Sequence, residues 1–232
     1  MARAFTGWGY SRQTGEFRIN ARHHDQGEKE IFGHVGNWDG DDVIDFILED
    51  PQTSLYLCRR LWVAFISPII DETQVLELAR QFRESTPRYD FKTLYRAFFN
   101  SDAFWSIENR GLLIKSPIDY VVHLSAQGTR TKPPRYWLRQ AAQLGLDLYN
   151  PPNVRGWVGG THWINASTLM KRAQLAQQHL RRWRRSLRRD TVERVDLREL
   201  WLAGEPLTID EDSSDHLQFI NQLIHDPQFQ LK

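Results

Sequence analysis

The chain has 232 residues, 41% hydrophobic and 25% charged, a composition that suits a globular protein with a core of useful size. A net charge of +1 gives no global electrostatic pull toward nucleic acid or a membrane surface. The single cysteine, Cys58, excludes an internal disulfide and any zinc site with several thiolates, and no apolar run approaches the ~20 residues that span a bilayer.

The opening residues, MARAFTGWGY, lack the apolar h-region of a signal peptide. Ala2, Ala4 and Phe5 followed by Gly7 read as the last turn of a helix and its cap, which predicts a chain that is the C-terminal part of a longer protein. Residues 1–39 form a loop-rich opening segment. Within it, 8–38 are rich in Gly, His and Trp, and the alternating pieces FRIN and KEIFG leave room for one small β-hairpin.

From residue 40 the pattern is helical. GDDVIDFILED (40–50) opens with the acidic residues that favour a helix N-terminus. In 53–66, Leu55, Cys58, Leu61, Trp62 and Phe65 share a face, and Pro68 ends the run. Asp71 caps a helix striped by Val75, Leu78, Ala79 and Phe82; Phe91, Leu94, Tyr95, Phe98 and Phe99 form another apolar face. Ser116, Pro117 and Asp119 signal a helix start. A helix over 135–144 ends near Gly145, and NPPNVRGWVGGTHW (150–163) is a second irregular stretch. Asn165 caps a long helix over 166–189, and a last helix over 214–225 stops before Pro227. Residues 166–232 thus divide into a long basic helix and an acidic tail. The expected fold is mainly α: one domain of about eight helices around one core, with two long Gly/Trp-rich loops.

The segments RAFTGW (3–8), HDQGEKEIFG (24–33), GDDVIDFILEDPQTSLYLCRRLWVAFI (40–66), IKSPIDYVV (114–122), PPNVRGWVGGTHWIN (151–165) and DPQFQLK (226–232) together resemble the C-terminal half of the bacterial domain-of-unknown-function 1800 family. The resemblance implies a protein about twice as long, with another helical half before RAFTGW as this chain's first partner. It also implies export for some full-length members, often encoded beside another exported protein. It brings no established activity and no cofactor. His24, Asp25, Gly27 and Lys29 match the family pattern, His23 sits where the family varies, and the Arg-rich stretch 181–189 lies outside that pattern.

Long irregular loops in a helical chain are frequent carriers of function. His24 and Asp25 are metal-ligand types, but adjacent side chains diverge and no HxH, HxxxH or HExxH spacing completes a set, so no metal is assigned. With Lys29 they could instead serve acid–base chemistry, or simply anchor a loop. Trp8, Trp38, Trp157 and Trp163 lie in or beside the two stretches, where they either meet a ligand such as a polysaccharide or another protein, or plug the loops onto the helices. These readings converge on a non-catalytic binding or scaffold module. Its polar–aromatic patch would comprise His24, Asp25, Lys29, Asn153, Arg155 and Trp157. The alternative is a hydrolase-like or metal-dependent enzyme whose site is shared with the preceding half. A further alternative is nucleic-acid binding through Arg184, Arg185, Arg188 and Arg189, against which stands the pairing of eight Lys/Arg in 171–189 with nine Asp/Glu in 190–215.

Overall fold

The computed structural model describes residues 1–126, 132–187, 194–209 and 216–232. Its internal contacts divide the chain into two compact units, Met1–Leu61 with Asp71–Phe98 and Trp62–Ile70 with Phe99–Lys232.

In the first unit a 3-10 turn, Ala2–Phe5, precedes two antiparallel hairpins. Strands β1 (Trp8–Tyr10) and β2 (Phe17–Ile19) pair Trp8 with Ile19 and Tyr10 with Phe17. Strands β3 (Lys29–Ile31) and β4 (His34–Gly36) are joined by Phe32 and Gly33, whose φ angles of 51° and 82° match the tight turn that suits twisted strands. FRI and KEI are therefore strands of two separate hairpins.

Helix α1 (Gly40–Glu49) begins with a full capping box: Asp39 accepts from the N–H groups of Asp41 and Asp42, while Asp42 accepts from the N–H of Asp39. Val43 buries against Ala4 and Ile31, with Phe5, Trp38, Phe46 and Ile47 around them. The opening segment is thus pinned to α1 by aromatic rings. Trp8 packs edge-on against Phe5 at 5.0 Å, and Trp38 packs edge-on against Phe46 at 5.1 Å. Helix α2 (Pro51–Phe65) follows, then α3 (Glu72–Glu84), capped by Asp71 as its sequence predicts, and α4 (Phe91–Phe99). The apolar stripe of α3 is buried at Val75, Leu78, Ala79 and Phe82. Cys58 is also buried, and burial pushes its thiol up to about 11, so it remains protonated filler.

The second unit holds the short α5 (Asp102–Trp105), α6 (Pro117–Ala126), α7 (Pro134–Gln143), α8 (Ala166–Leu187), α9 (Arg194–Trp201) and α10 (His216–His225). Ser116 and Asp119 exchange backbone hydrogen bonds at the start of α6, and Asn165 and Thr168 do the same before α8. α6 packs on α7, and α8 on α10. Their core joins Tyr120, Leu124, Leu175, Ala176, Leu197, Trp201, Phe219 and Leu223. α9 lies within what reads from sequence as an acidic tail, yet Leu197, Trp201 and Leu202 are buried. Ten α-helices and two small sheets among the described residues make the fold mainly α, as expected.

At Gly40 the start of α1 packs tightly on the rings of the opening segment: a Cβ there would lie 2.2 Å from Trp8 Cζ2 and 2.9 Å from Phe5 Cδ1. Gly40→Ala should lower stability by about 1–3 kcal/mol through overpacking. Urea unfolding followed by tryptophan fluorescence reads this, and an unchanged midpoint would remove the assigned role of this contact.

Candidate functional site

His24, Asp25 and Lys29 come together in the first unit as a knot of loop-fixing bonds. Asp25 receives a bidentate pair from Arg3 at 2.7 and 2.9 Å and the N–H of Gly27 at 2.8 Å. The Arg3 bonds, then the Gly27 N–H, hold this carboxyl well below the usual carboxylate range. His24 Nδ1 lies 3.0 Å from the Thr6 carbonyl, fixing Nδ1 as the protonated nitrogen, while Thr6 Oγ1 accepts from the Asp25 N–H. Lys29, 5% exposed, donates to the Asp25 carbonyl at 2.6 Å and to Asn37 Oδ1 at 3.1 Å. Nearly every polar atom of the cluster is occupied in joining residues 3–6 to 24–37. Among the described residues no group of three His, Cys, Asp or Glu is placed to hold a metal ion.

Asn153, Arg155 and Trp157 lie in the second unit, in the other irregular stretch. Asn153 Oδ1 accepts from the Arg155 N–H at 2.8 Å, a local turn bond that leaves the Arg155 side chain exposed. Trp157 is half-buried, and Tyr149, Val154 and Val158 project into solvent. Trp163 is half-buried, and its ring lies about 4 Å from where side chains on Gly145 and Gly159 would begin. The Arg-rich candidates contribute no geometry. Arg188 and Arg189 lie outside the described residues, and the side chains of Arg184 and Arg185 are not described.

Sequence reasoning missed two residues of the second unit, Arg172 and Lys115. Arg172 is 0% exposed on α8. Its Nη2 donates to the Lys115 carbonyl at 2.7 Å and its Nη1 to Gln230 Oε1 at 3.2 Å; its Nε has no hydrogen-bond partner. The guanidinium carbon sits 4.8 Å over the Tyr120 ring, and the Tyr120 hydroxyl donates to the Arg172 carbonyl at 2.9 Å. Lys115, 5% exposed, donates to the Phe229 carbonyl at 2.8 Å and lies 4.9 Å over that ring. Burial pulls its amine down to about 8 from the ordinary 10.5. Residues 113–115 also pair with 230–232 through backbone bonds, and Lys232 bridges Asp119 at 2.7 Å.

One face of this arrangement opens into a cleft of about 600 Å³. Its walls are Ile114, Thr161, Ile164, Leu169, Ala173, Ile224, His225, Pro227, Gln230 and Leu231, mostly apolar with three polar side chains. Thr161 and Ile164 belong to the end of the second irregular stretch or just beyond it, and Pro227, Gln230 and Leu231 to the C-terminal segment. The size falls within the range of small-molecule sites, about 300–1,000 Å³.

A family model described as "Protein of unknown function (DUF1800)" matches residues 1–231. No curated protein and no solved structure matches the chain.

Two outcomes follow from the bonding. Asp25→Ala releases Arg3 and the Gly27 N–H, so trypsin should cut after Arg22 or Lys29 about threefold to tenfold faster, with cleavage elsewhere unchanged; equal rates would show that the knot does not hold the loop. Lys115 has a lowered folded pKa, so its cost to stability is fully present below pH 8 and is relieved as pH rises from 8 toward 10.5. Relative to Lys115→Met, the native chain should gain ~1 kcal/mol between pH 8 and 9. Parallel stability curves for the two proteins would contradict this.

Proposed function

We propose, for a chain that belongs to the DUF1800 family and inherits no assigned activity from it, a non-catalytic binding role centred on the apolar cleft of the second unit. The observation that supports this reading is the cleft itself: a concave, mostly apolar surface with Thr161, His225 and Gln230 as its polar members. The residue types that invite a catalytic reading have other work. His24, Asp25 and Lys29 are committed to loop bonds, and Cys58 is buried and protonated. The ligand is a small molecule with an apolar body, because the walls offer far more carbon than hydrogen-bonding atoms.

The ligand side is tested with N-phenyl-1-naphthylamine, a neutral probe that brightens in apolar surroundings. It should bind the native chain saturably. Ala173→Trp, which places an indole in the cleft, should weaken binding about tenfold or more while far-UV circular dichroism stays native. Unaltered probe affinity in a folded Ala173→Trp protein would place the binding elsewhere and end this reading.

A further inference from the structure

An indole held still in open solvent marks a second concave surface of the second unit, one that shares no residue with the apolar cleft. Trp105 ends α5 with 74% of its surface exposed. Its orientation is nevertheless fixed. Nε1 donates to the Phe99 carbonyl at 2.7 Å, and Phe104 meets the ring edge-on at 5.3 Å. The polar atom of the indole is therefore spent on the fold, and what faces solvent is flat carbon surface. A tryptophan this exposed and this rigid is the exception, since large aromatics are mostly buried.

The residues that follow supply polar groups. Trp105, Ser106, Asn109 and Arg110 border one hollow of about 510 Å³, together with Phe65 and Ile107. Ser106 Oγ accepts from the Glu108 N–H, which leaves its O–H as a donor. Asn109 Nδ2 donates to the Ala103 carbonyl, which leaves Oδ1 as an acceptor. Arg110 is exposed, and no bond among the described residues ties its guanidinium. Lys232, the other cation of the lining, is bonded to Asp119. The stretch is also stiff: the N–H groups of Asn109 and Arg110 bond the Ser106 and Ile107 carbonyls, and Ser101 caps α5. Residues 105–110 thus present a flat apolar platform with a hydroxyl donor, an amide acceptor and a guanidinium beside it, and a ligand has little of it left to order.

That combination suits a molecule that is apolar on one face and hydroxylated around its rim. A pyranose with equatorial hydroxyls is such a molecule: its axial C–H bonds make a flat apolar face, and its hydroxyls both donate and accept. A hydrocarbon ligand would cover the platform but dehydrate Ser106, Asn109 and Arg110 without replacing their water. A cationic ligand, which also favours an aromatic face, would meet Arg110. We propose that Trp105 is a sugar-stacking platform and that the hollow beside it binds β-linked, glucose-type oligosaccharides. Ser106, Asn109 and Arg110 hydrogen-bond their hydroxyl groups. The ligand is neutral, so recognition rests on shape and hydrogen bonds. This site is separate from the apolar cleft and stands whether or not that cleft binds a ligand.

The test is saturation-transfer NMR on the full chain with cellotetraose and with tetraacetylchitotetraose, backed by calorimetric titration of each. Saturating the aromatic protons of the protein should transfer magnetisation most strongly to the axial ring protons of the sugar. Trp105→Ala should weaken binding about tenfold or more, and Arg110→Ala about threefold, with circular dichroism and Tm unchanged. Trp105→Phe should recover part of the lost affinity, which a purely structural role of the indole does not predict. Should Trp105→Ala not fold, Arg110→Ala makes the comparison at an exposed, unbonded position. No saturable binding of either tetrasaccharide, or native affinity in folded Trp105→Ala and Arg110→Ala proteins, overturns the site. So does adenosine monophosphate, if transfer reaches its base protons while the sugars show none, because the platform would then serve nucleobases.

Discussion

The second unit is organised around a fully buried charge. Arg172 sits fully buried, and its guanidinium bonds reach Lys115, two residues before α6, and the segment after α10. Its own carbonyl holds the Tyr120 hydroxyl from α6. One side chain thus joins three stretches far apart in the chain. A buried guanidinium is expensive to desolvate, and each carbonyl it meets recovers part of that cost. The geometry is therefore demanding: if the C-terminal segment left, the charge would lose Gln230 and the neighbouring Lys115 would lose the Phe229 carbonyl.

The first unit solves its own closure in a related way. Lys29 is a nearly buried cation satisfied by the Asp25 carbonyl and the Asn37 amide, while Arg3 pairs with Asp25 at a more exposed position. In both units, residue types associated with catalysis act as long-range fasteners of irregular backbone. The distinction lies in surroundings. The Asp25 knot faces solvent and its atoms bond one another, whereas the Arg172 layer backs onto an apolar cleft large enough for a ligand.

Most helix starts were legible in the sequence because capping is local chemistry. Asp71, Ser116 with Asp119, and Asn165 do what their positions announce. α9 was not legible, since acidic residues crowd Leu197 and Trp201, and only tertiary packing shows that these two are core. The cleft was illegible for a different reason: its lining is drawn from positions between 114 and 231, and no periodicity links them. Arg172 left a faint signal. It falls three residues after Leu169 and four before Ala176, on the apolar side of α8, but the arginines that follow made it look like part of a solvated basic face.

The pairing of 113–115 with 230–232 sets an order of events during synthesis. Contacts this distant in sequence close late, because a long loop has to be organised before they form. When residues 113–187 have left the ribosome, Lys115 and Arg172 are present without the carbonyl and amide groups of 229 and 230. Their burial has to wait, and the half-made unit keeps two cations hydrated at what becomes its interior. Residues 229 and 230 are thus the ones whose carbonyl and amide groups let Lys115 and Arg172 become dry.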